Sequence, residues 1–343
     1  MPIVAIDARD AFAPELRGWG RYARELIDAL PERPGLEYRV ISRGGPGPEL
    51  LFEQVGLPVR LRRERADLVH APNCFLPLAR PCMGVVTIHD LAFEVFPEDF
   101  SRRTGWKYRT FARRAARSAQ RVICVSGYTA ADVVRRYGVD EARVRVIPNA
   151  PSLPIGDEPV PHDGPYLLAV GDLRPKKNLL RLVQAFRVLR REGLEHRLVL
   201  AGVDGGEGDL IRAAAGGEPL RLTGYLSDVR LDALMRGADA LVHPSLYEGF
   251  GLVLVEAMVR GVPVVAARAT ALPGTGGDAA EYFDPLDVGD MAAAIGRVVG
   301  DRARHAELAR RGHARAGRLS WADSAALTAA VYEEMLRPEG AWS

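Results

Sequence analysis

The chain has 343 residues, 26% of them charged and 48% hydrophobic, and its 46 Lys and Arg against 44 Asp and Glu leave a formal charge of +2. That length suits two domains of roughly 150 residues, each with its own core, and the near-neutral balance demands neither nucleic acid nor an anionic surface as a partner, so that any basic patch must be local. The three cysteines, Cys74, Cys82 and Cys124, lack CxxC spacing, which argues against a disulfide scaffold or zinc cluster and points to a reducing, cytoplasmic compartment.

The opening MPIVAIDARD has no basic n-region, and no run approaches the ~18 apolar residues that cross a bilayer. A soluble or peripheral protein is expected. PIVAID reads as a buried strand, and GRYARELIDAL as a helix with Tyr22, Leu26, Ile27 and Leu30 on one side. Short β-branched strands follow at YRVISR, DLVHA, GVVTIHD, RVICVS and VRVIP, several of them separated by helical patterns. Such alternation predicts parallel strands joined by crossover helices.

GVVTIHD places His89 and Asp90 at a strand end, where a lone histidine is more often structural than chemical. From Arg102 to Arg121 there are eight basic residues and no acid. A helical wheel puts Arg102, Arg103, Lys107, Arg109, Arg113, Arg114, Arg117 and Arg121 on one half and Tyr108, Phe111, Ala112, Ala115 and Ala119 on the other. The basic half, with Trp106 among its cations, reads either as a solvated face or as a peripheral contact with an anionic membrane or a pyrophosphate-linked lipid, at about 1 kcal/mol per basic residue near such a surface.

Residues 148–165, PNAPSLPIGDEPVPHDGP, hold six prolines without apolar periodicity and read as a linker. The alternation then restarts with YLLAVG, NLLRLVQAFRVLRR, HRLVLAG, LRLTG, SDVRLDALMRGA, ALVHPS, GLVLVEAMVRG and PVVAA, a second α/β unit, with the cleft between the two as the natural ligand site. GDLRPKKN, residues 171–178, lies between a strand and a helix, hence at the carboxyl edge of a parallel sheet, where lysines suit phosphate. In SLYEGFGLVLVEAM, residues 245–258, a helix starting near Phe250 or Gly251 would offer the amides of Gly249, Phe250, Gly251 and Leu252 to an anion. Glu248 would precede that helix and face a reacting group, while Glu256, on it, could accept bonds from a ribose diol. His243, in LVHPS, reads as a packed strand-end residue. RGWGRY lacks the GxGxxG of a hydride-transfer cofactor site, since only Gly18 and Gly20 appear, well beyond the strand.

HPSLYEGFGLVLVEAMVRGVPVVAA resembles the signature of the retaining nucleotide-sugar glycosyltransferases of family GT4, whose Glu-x7-Glu motif matches Glu248 and Glu256. Collinear matches run through RGWGRY, TIHD, VICVSGYTAADVVRRYG, RVIPN, VGDLRPKKNLLRLVQAF, LTGYLSDVRLDALMRGADALVHPS and SWADSAALTAAVYEEML, closest in flavour to the branch with bacterial O-antigen mannosyltransferases. The resemblance implies an α/β architecture, the GT-B fold, with two Rossmann-like doubly wound domains facing a central cleft. Residues 1–152 would bind the acceptor, with helix 320–337 packed back on them, and residues 153–319 would bind the nucleotide sugar.

It further implies that Lys177 and Arg174 neutralise the donor diphosphate, that Gly20 brings backbone N–H to it, and that His89 positions the transferred sugar. Glu248 would steady the sugar, Glu256 would hold the ribose, and Tyr225 would lie near the base. Two positions depart from the family pattern: Asp172 stands where many relatives carry Arg, and Gly274 where a Leu-Pro-Glu loop has Glu. No Asp-x-Asp occurs, so neither a metal nor another cofactor is expected. The expected activity is retaining transfer of mannose or another hexose or deoxyhexose from a nucleoside diphosphate to a hydroxyl of a glycan, lipid-linked or small-molecule acceptor. The alternatives are a non-catalytic nucleotide-sugar-binding or scaffolding GT-B protein, and a GT-B sugar-phosphate synthase or epimerase.

Overall fold

The computed structural model describes residues 1–13, 16, 18–45, 48–160 and 164–337. These form two compact units, one of Met1–Asn149 with the returning segment from Ser320, the other of Ala150–Leu319.

In unit 1 the strands β1 (Ile3–Asp7), β2 (Glu37–Ile41), β3 (Leu68–Ala71), β4 (Met83–Ile88), β5 (Arg121–Cys124) and β6 (Val144–Val146) form one sheet in the order β2-β1-β3-β4-β5-β6. Every pairing is parallel. Successive strand residues face opposite sides, so Ala5, Val69, Val86 and Val122 join one core layer and Val4, Ile6, Leu68, Val85 and Ile123 the other. With both faces buried, the strands read as continuous apolar runs rather than as alternation.

The helix Arg102–Ser118 covers the first layer with Phe111, Ala112, Ala115 and Ala116, and Ser101 caps it by accepting from the Thr104 N–H. The basic face expected there is smaller than the wheel suggests. Lys107 turns inward to Glu49 (2.8 Å) and the fully buried Glu53 (3.1 Å), while Arg121 lies in β5 and pairs with Glu334. Both have found carboxylates on other elements, which a single-helix projection cannot reveal. The helix Trp321–Leu336, capped by Ser320, covers the second layer with Val331 and Tyr332. Beneath it His70, with no exposed surface, uses Nδ1 on the Tyr332 hydroxyl (2.6 Å) and Nε2 on the Thr87 hydroxyl (2.8 Å). Burial, with His89 nearby, pushes its pKa down to about 3 and keeps it neutral.

Unit 2 repeats the design with β7 (Tyr166–Val170), β8 (Arg197–Ala201), β9 (Leu220–Leu222), β10 (Ala240–His243), β11 (Val264–Ala267) and β12 (Ala280–Phe283), ordered β12-β11-β10-β7-β8-β9. Counted from β7 this is the doubly wound 3-2-1-4-5-6 arrangement, and its strand order reverses between β7 and β10, where such sheets open a crevice at their carboxyl ends. The helices Val288–Val299 and Arg302–Ala316 complete the unit. Asp287 and Asp301 cap them, each accepting from the backbone N–H groups of the second and third residues of its helix. Among the described residues no helix is long and apolar enough to cross a membrane.

Tyr332→Phe should cost about 1–3 kcal/mol in urea denaturation, because it strips a buried ring nitrogen of its partner. Because the folded pKa of His70 is lowered, the unfolded chain takes up a proton below about pH 6.5 that the folded chain refuses, and stability falls as pH drops. A His70→Gln variant should show a shallower fall between about pH 6.5 and 5 than the parent.

Candidate active site

Two loops rise at the strand-order reversal of unit 2, one after β7 and one after β10. The first begins at Gly171, whose φ of 147° and lack of a side chain let the Lys177 stem lie on it; a Cβ there would sit 3.0 Å from Lys177 Cε. The turn Pro175–Lys177 ends at Asn178, which has a left-handed φ of 57°. The Asn178 side-chain amide donates to Pro244 O (3.1 Å) and Pro285 O (2.8 Å), and the Leu246 N–H to Lys176 O (2.8 Å), so this loop is tied to those that follow β10 and β12. Lys177 and Glu248 are thereby brought together, Nζ to Oε1 at 2.5 Å, with side chains 16% and 15% exposed.

The Glu248 carboxylate has a second partner that the sequence reading assigned to packing. His243, the last residue of β10 and 2% exposed, places Nε2 3.1 Å from the same Oε1. Burial alone would raise the Glu248 pKa. The Lys177 charge, the His243 bond and the charge of Lys176 outweigh it and hold the group well below the usual carboxylate range. Burial lowers the His243 pKa against the pull of Glu248, so its ring is neutral. The Glu248 N–H donates to Thr270 Oγ1 at 2.9 Å, and Thr270 sits at φ 49°. A β-branched residue in that region costs on the order of 1–3 kcal/mol and persists only where surrounding structure demands it.

Beyond Glu248, Gly251 (φ 91°) opens the helix Leu252–Val259, and a Cβ on it would meet Leu272 Cδ2 at 2.6 Å. Phe250 is 7% exposed and its carbonyl accepts from Thr275 Oγ1, so the Gly249–Leu252 turn is fixed from below. Glu256 is not the open carboxylate expected. Its Oε1 accepts from Ser152 N (2.6 Å) and Leu153 N (2.8 Å), and its Oε2 pairs with Arg260 (2.9 Å). Arg260, fully buried, continues to Asp232 (2.8 Å), which pairs with Arg236 and accepts from Gly156 N. The proline-rich stretch that reads as a linker is held to unit 2 over Ser152–Gly156 because its amides satisfy buried carboxylates. A ribose at Glu256 would share a carboxylate already engaged by two backbone amides and by Arg260. Residues 161–163 of that stretch lie outside the described residues, as does Arg17 of RGWGRY.

Arg174, 38% exposed, stands 3.9 Å from Asp172, the residue at the family's arginine position. Tyr225 is 59% exposed in the loop after β9, two strand positions from β7. Gly274 has open space around an added Cβ.

In unit 1, Gly20 belongs to the first turn of the helix Gly18–Ala29 rather than to a loop. Its missing side chain admits the Asp10 carbonyl, which would lie 2.4 Å from a Cβ. His89 Nε2 lies 2.7 Å from Pro72 O, which can only accept, so Nε2 carries the proton and Nδ1 is left as an acceptor. Its ring stacks on Trp19 at 6.1 Å and meets the edge of Tyr22 at 4.6 Å, and burial lowers its pKa. Asp10, after β1, and Asn73, after β3, bond at 3.0 Å across the point where this sheet reverses. Sequence reading missed that pair, since neither residue belongs to a recognisable spacing.

Residues 155–315 match the family model for glycosyl transferases group 1, and residues 48–151 that for glycosyltransferase family 4. The chain is 30% identical over 289 residues to the O-antigen chain mannosyltransferase B of Escherichia coli, covering 80% of this chain and 76% of that protein. It is 31% identical over 322 residues to the MMP alpha-(1->4)-mannosyltransferase of Mycolicibacterium hassiacum, covering 86% and 77%. Sucrose-phosphate synthase (tll1590) from Thermosynechococcus elongatus superimposes with a TM-score of 0.75 over 97% of this chain and 98% of that one, at 22% identity. That likeness shows the fold to be GT-B.

Glu256→Ala should destabilise unit 2 by about 3 kcal/mol, because Arg260 would be left buried and short of a counter-charge. Chemical denaturation measures this. An unchanged midpoint would mean that the carboxylate does not secure Ser152 and Leu153.

Proposed function

Because the chain belongs to the GT4-type group 1 glycosyltransferases, we propose that it transfers a hexose or deoxyhexose, mannose first among them, from a nucleoside diphosphate to an acceptor hydroxyl with retention at the anomeric carbon. The observation that carries this reading is the Lys177–Glu248 pair at the strand-order reversal of unit 2. A cation and a carboxylate held together in a crevice suit a reaction in which negative charge builds on a departing phosphate while positive charge builds on a sugar ring. Lys177, supported by Arg174 and the amides of Gly249–Leu252, would meet the diphosphate. Glu248 would face the sugar and steady its oxocarbenium-like charge. The departing phosphate would take the proton of the acceptor hydroxyl as it attacks the same ring face, so no protein base is required. Tyr225, with its exposed ring, is assigned to the nucleoside.

We propose that these positive groups, rather than a metal, balance the leaving group. Among the described residues no three His, Cys, Asp or Glu side chains converge as a cation site. The acceptor falls to unit 1, whose carboxyl sheet edge carries His89, Asp10 and Asn73. The relatives' names direct the choice of acceptor toward glycans. A lipid-linked glycan would also use the helix Arg102–Ser118, where a cavity of about 370 Å³ is lined by Glu94, Arg109, Thr110, Arg113, Arg114 and Arg117, and where Trp106 is 55% exposed.

Lys177→Ala should lower transfer by about 100-fold or more while the fold, read by circular dichroism, is kept. A near-parental rate would refute the assignment, and a parent chain that turns over no nucleotide sugar would favour a binding or scaffolding role. Excess chelator should leave the parental rate unchanged; a loss restored by added magnesium or manganese would overturn the metal-free scheme. Vesicles containing phosphatidylglycerol should bind the chain at low salt more than pure phosphatidylcholine vesicles do, and an Arg113→Ala/Arg114→Ala variant should lose that difference.

A further inference from the structure

Both side-chain bonds to Glu248 land on one oxygen. Lys177 Nζ and His243 Nε2 each approach Oε1, and among the described residues Oε2 has no hydrogen-bond partner. The two donors differ in what can happen to them. Lys177 is a compact charge on a flexible stem, and a diphosphate entering the crevice would compete with Glu248 for its three N–H groups. His243 cannot follow: it is 2% exposed, its backbone pairs with Ala266 in the sheet, and it sits in the strand on which the Glu248 loop is mounted.

We propose that His243 is the positioning residue of the transfer reaction, the fixed donor that keeps Oε1 of Glu248 in place, with Oε2 turned to the sugar, once Lys177 has been drawn to the phosphates. The neutral ring suits this task. It donates one hydrogen bond without adding a second cation to compete for the diphosphate. The Thr270 hydroxyl accepts the Glu248 N–H and fixes the backbone, and His243 fixes the carboxylate. This assignment rests on the transfer reading above and names what holds its carboxylate.

The test compares His243→Gln, whose amide nitrogen reaches about as far as Nε2, with His243→Asn, whose amide stops short. In the parent, turnover of a nucleotide sugar is established first, and its absence would sink the transfer reading itself. With turnover in hand, Gln should keep kcat within about threefold, and Asn should lower kcat by about 10- to 100-fold, the range for one hydrogen bond to a charged group. Donor KM, and calorimetric affinity for the free nucleoside diphosphate, should move by less than about threefold in both. In a Glu248→Gln background the Asn substitution should cause almost no further loss, because the residue acts through Glu248. An Asn variant as fast as the parent, equal losses for Gln and Asn, or a full additional loss in the Glu248→Gln background would each overturn the proposal.

Discussion

The contact between Lys177 and Glu248 depends on a topological fact: 71 residues apart in sequence, they meet because β7 and β10 are neighbours in the sheet. A doubly wound sheet diverges at that place, with crossovers leaving in opposite directions, and here the two loops above it are bridged by the Leu246 N–H to Lys176 O bond and by the Asn178 amide on Pro244 O. A lone carboxylate there would be poorly hydrated and costly to ionise. Beside an ammonium it is charged and ready. Much of the surrounding detail serves this proximity. Gly171 clears the path of the lysine stem, the Asn178 amide ties the two loops together, and Thr270 accepts an unfavourable backbone angle to hold the glutamate amide.

The two glutamates of the motif illustrate two solutions to one problem. Each is largely withdrawn from water and each has a cation, but the cations differ in kind. Glu248 has a lysine that other anions can compete for, whereas Glu256 has a fully buried arginine whose fork is already shared with Asp232 and with the carbonyls of Leu153 and Pro154. The first arrangement can be rearranged by a ligand. The second can be rearranged only by breaking a network that holds the chain where it enters unit 2.

The strands and most crossover helices were legible because buried β-branched runs and helical spacings are local properties, and the motif around Glu248 was legible because its glycines mark where backbone must come close to something. Other features depend on partners far away in sequence. A strand buried on both faces has no alternation, so nothing distinguished His243 from its packed neighbours Leu241 and Val242. A helical wheel counts Lys107 as a surface cation because it cannot see Glu53 on another element. Proline content said that Ser152–Gly156 would be irregular, and was silent on whether its amides would be spoken for. The caps at Asp287 and Asp301 are local signals, an aspartate directly before each helix, and lie outside the motifs that carry the family resemblance.

Unit 1 is discontinuous in the chain, its last helix arriving after the whole of unit 2. During synthesis the layer containing Val4, Ile6, Leu68 and Val85 therefore lacks Val331 and Tyr332 until the whole of unit 2 has been made, while the contiguous residues 150–319 of unit 2 can close their core sooner. A nascent chain stalled before Ser320 would carry an uncovered apolar sheet face with a half-satisfied imidazole at its centre, the kind of surface that chaperones recognise.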